Sequence, residues 1–203
     1  MFDRAALKLT KPVVNRLAQE VLRQGWNADQ VTLAALGLGL FAGLLILLGH
    51  SGWALLALLL SRIADGTDGA MARFSAAQTD RGAFLDISMD FIFYASIPLA
   101  FALSEPVNNA LPAAVLLAAF VITGTSFLAY ASIAAKRGET STAYPSKGIY
   151  YLGGLTEGSE TITLFVLCCL WPNWFGVLAY IYAALCVITT ATRIKVGWDD
   201  FKR

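Results

Sequence analysis

"VTLAALGLGLFAGLLILLG", Val31 to Gly49, carries no charged side chain. Wound as an α-helix at about 1.5 Å per residue it extends roughly 28 Å, close to the ~30 Å hydrocarbon core of a bilayer. Outward from it lie five more apolar runs, at roughly 52–73, 82–103, 111–135, 152–171 and 175–194. The connections between them are short. Of 203 residues, 57% are hydrophobic and only 14% are Asp, Glu, Lys or Arg. A soluble domain of this length keeps more charge on its surface. The expected fold is an all-α integral membrane protein with six transmembrane helices, preceded by an amphipathic helix on the cytoplasmic surface. A single membrane domain spans 1–203: an N-terminal segment 1–30, a six-helix bundle 31–194 and a cytoplasmic tail 195–203.

The basic residues set the orientation. Arg4, Lys8, Lys11, Arg16 and Arg23 precede the first run, and Arg73 and Arg81 lie between the second and third. Lys136, Arg137 and Lys147 lie between the fourth and fifth, and Arg193, Lys195, Lys202 and Arg203 close the chain. The intervening connections, near His50–Ser51, Ser104–Ala110 and Pro172–Trp174, hold no Lys or Arg. This split places both termini and the two basic loops in the cytoplasm. Only Arg62 falls inside a run. The net charge of +1 gives no sign of a nucleic-acid partner, and none is expected.

In "KPVVNRLAQEVLRQ", residues 11–24, Val14, Leu17, Val21 and Leu22 share one helical face. The segment reads as a helix on the cytoplasmic membrane surface; packing on the ends of the spans is the competing reading. The first residues lack the apolar run of a cleavable signal peptide. Trp26, Trp53, Trp171 and Trp174 fall near expected interfaces, where indoles settle. Cys168, Cys169 and Cys186 sit in apolar runs without metal spacing and read as packing residues.

Acid stands out against this background. "DGTDGAMARFSAAQTDRGAFLDISMD", Asp65 to Asp90, holds five aspartates in 26 residues. Asp65 and Asp68 are spaced i, i+3, and Asp86 and Asp90 i, i+4, so each pair shares a helix face. Counting about 1.5 Å per residue from each membrane face puts Asp65 level with Asp90, and Asp68 level with Asp86. The two antiparallel runs can therefore aim four carboxylates into one cytoplasm-facing cavity. Each Asp within a membrane helix costs roughly 2.5–3.5 kcal/mol on insertion scales. Hard divalent cations explain four such costs; an all-oxygen set suits Mg²⁺ or Mn²⁺. Four carboxylates can hold two ions ~3.5–4 Å apart, as in phosphate displacement. The competing reading pairs the acids with Arg62 and Arg73. Gly66, Gly69, Ala70 and Ala72 clear the helix surface beside them, for a bulky ligand or for tight packing. Arg73, one turn beyond Gly69, can neutralise a diphosphate.

The pattern Asp65-x2-Asp68-Gly69-x2-Ala72-Arg73-x8-Gly82-x3-Asp86-x3-Asp90 resembles, at every fixed position, the signature of the CDP-alcohol phosphotransferase family. "YYLGGLTEGSET" and the short length resemble its YnjF-like bacterial branch. The resemblance implies transfer of a substituted phosphate from a CDP-linked donor to an alcohol, with release of CMP. It implies Asp65, Asp68 and Asp86 as metal ligands, with Asp90 facing the metals and acting as base. It implies Gly69, Ala72, Arg73 and Gly82 in the CDP site. Members often open the first span with Pro-Asn-x-x-Thr; here Thr32 is kept, and Ala28 and Asp29 replace Pro and Asn. Asp29 and Thr32 are thus nucleotide-contact candidates. A homodimer in the bacterial inner membrane, with a cytoplasmic active site, is also implied. A cavity open to lipid would admit CDP-diacylglycerol.

Lys136, Arg137, Lys147, Arg193 and Lys195 ring the cytoplasmic ends of the last three runs, a setting that binds phosphate. They favour a phosphorylated acceptor such as glycerol 3-phosphate, although topology alone also collects positive residues there. Glu157 and Glu160 can bind acceptor hydroxyls or an amine, or pair with Arg193. Alternatives are a non-phosphorylated acceptor (inositol or serine), hydrolysis of CDP-diacylglycerol, and a cation transporter, which the donor-site glycines disfavour.

Overall fold

The computed structural model describes residues 3–75, 79–138 and 154–202, with the backbone alone for 3–10. Seven α-helices follow in order: α1 (Asp3–Arg23), α2 (Ala28–Leu47), α3 (Ser51–Phe74), α4 (Asp80–Ser104), α5 (Pro106–Lys136), α6 (Gly158–Leu170) and α7 (Phe175–Asp200). A 3₁₀ turn, Pro172–Trp174, leads into α7. Helices α2 to α7 coincide with the six apolar runs. Four of them, α2, α4, α5 and α7 with its preceding turn, are long and apolar enough to cross a membrane. That is fewer than the six expected. Helix α3 has the length, but Arg62, Asp65, Asp68 and Arg73 interrupt its apolar surface. Helix α6 is too short at 13 residues, because it begins at Gly158 and not near 152.

Local chemistry sets the helix ends. Asn27 caps α2: its side chain accepts from Gln30 N (2.9 Å) while Gln30 Oε1 accepts from Asn27 N (3.0 Å). Thr79 caps α4 by accepting from Gly82 N at 3.0 Å. Pro106 opens α5 at a position where its missing N–H costs nothing, so α5 starts earlier than the run near 111 suggested.

Helix α2 is the hub. It packs closely along both α3 and α4, whereas α3 and α4 make few close backbone approaches to each other. Gly39 explains the arrangement: a Cβ there would lie 2.5 Å from the Phe93 ring on α4 and 3.2 Å from Ser61 Oγ on α3. Only a bare backbone lets both helices sit that close. The gap left between α3 and α4 is where the carboxylates project.

The second half pairs α5 with α7 and sets α4 against α5. Aromatic contacts join the halves: Phe101 stacks on Phe175 at 4.6 Å, and Phe93 meets Phe165 edge-on at 5.9 Å. Hydroxyls add bonds between helices and from the segment before α6. Thr123 Oγ1 donates to the Cys186 carbonyl (2.9 Å), Ser61 Oγ to the Ala35 carbonyl (2.7 Å), and Thr156 Oγ1 to Thr189 Oγ1 (3.0 Å). In lipid such bonds contribute about 0.6 kcal/mol each, up to ~1–2. The three cysteines are free and buried in this core, as expected.

The outside remains apolar. Phe41, Leu44, Leu56, Val121 and Ile181 are all exposed, a surface suited to acyl chains and not to water. Helix α1 docks on the bundle: Val14 and Ala18 are buried against Val31, Ala70 and Met71. Leu17, expected on the same face, is 39% exposed, and Ala18 takes its place in the contact. Val14 lies 3.5 Å from where a Gly66 Cβ would be. Gly66 and Ala70 therefore serve helix packing, the competing reading for those two small residues.

Candidate active site

The acids converge. Asp65 and Asp68 on α3 and Asp86 on α4 each offer an oxygen, and the three oxygens lie within 4.8 Å of one another. Asp86 is exposed, Asp65 half-buried and Asp68 only 4% exposed. Asp68 Oδ2 is buried with no hydrogen-bond partner. A buried acceptor left unpaired costs about 1–3 kcal/mol, more when charged. A hard cation held by the three carboxylates would satisfy it, so the donor set fits Mg²⁺ or Mn²⁺.

Asp90 stands apart from that trio. Its Oδ1 accepts from Arg62 Nη1 at 2.9 Å, and the same nitrogen lies 3.4 Å from Asp65 Oδ1. Asp65 and Asp90 thus share a level, as their helical depths require, with a guanidinium between them. The competing reading of acids paired with Arg62 therefore holds for Asp65 and Asp90 but not for the Asp68 oxygen. Arg62 Nη2 donates to Ser61 Oγ (3.0 Å), and its guanidinium carbon lies 3.8 Å from the Phe93 ring centroid. The signal for Arg62 was present in the sequence as the one basic residue away from the end of a run.

The expected nucleotide residues lie on the first turns of α2 and α4 and on α3, beside the acids. Thr32, buried on α2, bonds the Ala28 carbonyl (3.1 Å) and neighbours Asp68. Asp29 pairs with Arg81 at 3.3 Å, and its Oδ1 lies 3.6 Å from where a Gly82 Cβ would be. The first turns of α2 and α4 therefore meet at Asp29 and Gly82. Arg81 was not foreseen; its position next to Gly82 was the available clue. On α3, a Cβ at Gly69 would lie 3.5 Å from Arg73 Nη1, so the Arg73 side chain folds back over Gly69. Ala72 is half-buried one residue before it.

The expected acceptor residues divide. Arg193 is buried near the end of α7; its Nη1 donates to the Thr123 carbonyl (3.2 Å), and its guanidinium lies 5.4 Å from the Phe127 centroid. A Cβ at Gly154 would lie 3.2 Å from Arg193 Nη2. Glu157 is also buried there: Gly154 N donates to its Oε1 at 2.9 Å. Glu160 Oε2 accepts from Glu157 N (3.2 Å) and Ser159 Oγ (3.0 Å). Both glutamates thus organise the start of α6. Arg137 donates to the carbonyls of Asp200 (3.2 Å) and Phe201 (3.1 Å), tying the end of α7 to α5. Lys136 is exposed at the end of α5. Lys147 lies outside the described residues.

The chain is similar to known membrane proteins over most of its length. The model of the family described as CDP-alcohol phosphatidyltransferase matches residues 26–192. The chain is 46% identical over 202 residues to inner membrane protein YnjF of Escherichia coli K12, covering 100% of this chain and 98% of that protein. It is 24% identical over 186 residues to phosphatidylinositol phosphate synthase of Mycobacteroides abscessus, covering 91% and 80%. The fold matches crystal structures of Mycobacterium tuberculosis phosphatidylinositol phosphate synthase. The form with CDP-DAG bound gives a TM-score of 0.68 at 22% identity, covering 92% of this chain and 94% of that one. The form with manganese and citrate gives 0.71 at 21% identity, covering 91% and 88%. The chain belongs to the CDP-alcohol phosphatidyltransferase family and is an enzyme of that family.

Proposed function

We propose that the chain transfers a phosphatidyl group from CDP-diacylglycerol to the hydroxyl of a small alcohol, releasing CMP. A phosphorylated acceptor such as glycerol 3-phosphate is favoured. The observation that carries the reading is the buried, unpartnered Asp68 Oδ2 within the three-carboxylate cluster. Asp65, Asp68 and Asp86 would hold Mg²⁺ or Mn²⁺, which when bound supplies positive charge to the diphosphate and to the departing CMP. The fold-level match to structures holding CDP-DAG, and manganese with citrate, supports the same donor and metal class.

The chain's own residues do the rest. Asp29, Thr32, Gly69, Ala72, Arg73 and Gly82 line the nucleotide side at the cytoplasmic mouth, where Arg73 faces the diphosphate. Asp90 accepts the proton of the acceptor hydroxyl while that oxygen bonds to phosphorus and the phosphorus–oxygen bond to CMP breaks. On the acceptor side, Arg193 offers a buried guanidinium to the phosphate, with Glu157 beside it and Lys136 and Lys147 nearer the cytoplasm. Arg137 belongs to this set only through its position, since its donors already meet the end of α7. The acyl chains stay in lipid, against the apolar exterior.

In this reading α2 to α7 all cross the bacterial inner membrane. Helix α3 crosses because its charges face the cavity, and α6 crosses with the segment before it. Both termini are cytoplasmic, and the family resemblance supports a homodimer. The test is to incubate purified protein with CDP-diacylglycerol, divalent metal and a panel of alcohols, and to identify the lipid product by mass spectrometry. A phosphatidyl-alcohol formed together with CMP supports the reading and names the acceptor. CMP with phosphatidic acid alone would make the enzyme a hydrolase, and no CMP under any condition would end the proposal.

A further inference from the structure

Tyr94 has no part in the scheme above, yet it stands next to the proposed base. It lies one helical turn beyond Asp90 on α4, so the two side chains share a face. Its phenol shares the electrostatic surroundings of Asp90, Arg62 and Asp65. The ring is packed in place: it meets Phe93 edge-on at 5.6 Å and Phe165 at 6.4 Å. The hydroxyl end reaches the start of α6, where a Cβ at Gly158 would lie 3.5 Å from the phenolic oxygen. Glu157, assigned above to the acceptor side, is the residue before Gly158. The phenol thus runs from beside Asp90 to the head of α6.

The hydroxyl has no hydrogen-bond partner among the described residues. Tyr182, the other tyrosine near α6, differs: its hydroxyl lies 2.8 Å from Thr161 Oγ1. Tyrosine hydroxyls inside a protein find a partner as a rule, and an idle one in an apolar bundle is costly. Phenylalanine would fill the same space against Phe93 and Phe165, so packing alone does not call for the hydroxyl. Gly158 adds a second sign. Any other residue there would place a Cβ in front of the phenolic oxygen, and glycine keeps that space clear. We propose that the Tyr94 hydroxyl hydrogen-bonds a non-reacting hydroxyl of the acceptor, so that the site selects a polyol over an amino alcohol with a single hydroxyl. The one turn between Asp90 and Tyr94, about 5.4 Å, suits neighbouring hydroxyls on one carbon chain. The reacting hydroxyl faces Asp90, and its neighbour faces Tyr94. This rests on the proposed transfer reaction and narrows its acceptor class.

The test measures CMP release by the full-length purified chain in detergent, with CDP-diacylglycerol, Mn²⁺ and paired acceptors. One pair is glycerol 3-phosphate and 3-hydroxypropyl phosphate, the same molecule without its second hydroxyl. The other is inositol and a deoxyinositol. In the pair it uses, wild type is expected to prefer the polyol in kcat/KM by about tenfold, the order of one hydrogen bond. Tyr94→Phe keeps the ring, and its two acceptors are expected to come level. The ratio cancels any general loss of fold or donor binding, which lowers both acceptors alike. Gly158→Ala puts a methyl group at ordinary contact distance from the phenolic oxygen, and is expected to fold and to reduce the same preference. It decides the matter should Tyr94→Phe fail to fold. An undiminished preference in Tyr94→Phe overturns the proposal and leaves the transfer reading standing. So does a wild-type enzyme that uses serine or ethanolamine in place of either polyol. No CMP with any acceptor would defeat the transfer reading, and this proposal with it.

Discussion

Two aspartates one helical turn apart, Asp86 and Asp90, have different surroundings. Asp86 joins the oxygens of Asp65 and Asp68, while Asp90 is held by Arg62. Their substitutions should therefore separate. Asp90→Asn preserves the shape but cannot take a proton at neutral pH; turnover should fall about 10²–10⁴-fold while CDP-diacylglycerol binding persists. Asp68→Asn should weaken Mn²⁺ and donor binding together, because it replaces the buried oxygen that lacks a partner. Nucleotide binding measured across a metal titration, beside turnover, distinguishes the two. An Asp90→Asn enzyme within about tenfold of wild type, below the usual range for base catalysis, is not missing its base. On the acceptor side, Arg193→Lys keeps the charge but loses the planar fork. The acceptor KM should rise while donor affinity stays; an unchanged acceptor KM removes Arg193 from that pocket.

The separation of α3 from α4 follows from the small face of α2. Gly39 admits Phe93, Phe93 carries Arg62, and Arg62 reaches Asp90. A methyl group at Gly39 must push a fully buried ring, for which close packing leaves no easy retreat. Gly39→Ala should cost about 1–3 kcal/mol and lower the melting temperature in detergent. It should also reduce turnover, by shifting the ring beneath the guanidinium. Gly37, on the same helix, has nothing within 4 Å of where a Cβ would lie, and Gly37→Ala should leave both properties unchanged. Equal behaviour of the two variants in the melting assay would show that the α2 hub is not tightly packed at Gly39.

Metal should couple the bundle as a whole. Asp65 and Asp68 come from α3 and Asp86 from α4, two helices with few close backbone approaches. An ion bound there ties them together and binds only the folded chain. Ligand at about 100 times its Kd stabilises by ~2.7 kcal/mol. Mn²⁺ should raise the melting temperature of wild type and do so much less for Asp68→Asn. CMP release should stop in excess chelator and return when Mg²⁺ or Mn²⁺ is restored. Full activity in chelator would dismiss the metal reading.

Much of this was legible from residue order. The apolar runs located α2 to α7, because a lipid-crossing helix must be apolar over a length that the bilayer dictates. The i, i+3 and i, i+4 spacings put Asp65 with Asp68 and Asp86 with Asp90 on shared faces, because helical periodicity is a local property. Depth counting placed Asp65 level with Asp90, and Arg62 now bridges that pair. Three features lay beyond such reasoning. The insertion of α2 between α3 and α4 depends on Gly39 meeting both Ser61 and Phe93, residues on other helices. The pairing of Arg62 with Asp90 depends on a side-chain reach across 28 positions of sequence. The conversion of Glu157 and Glu160 into the start of α6 depends on where the chain re-enters helix. Periodicity tells each helix which face is polar; only the packing of helix on helix decides what that face meets.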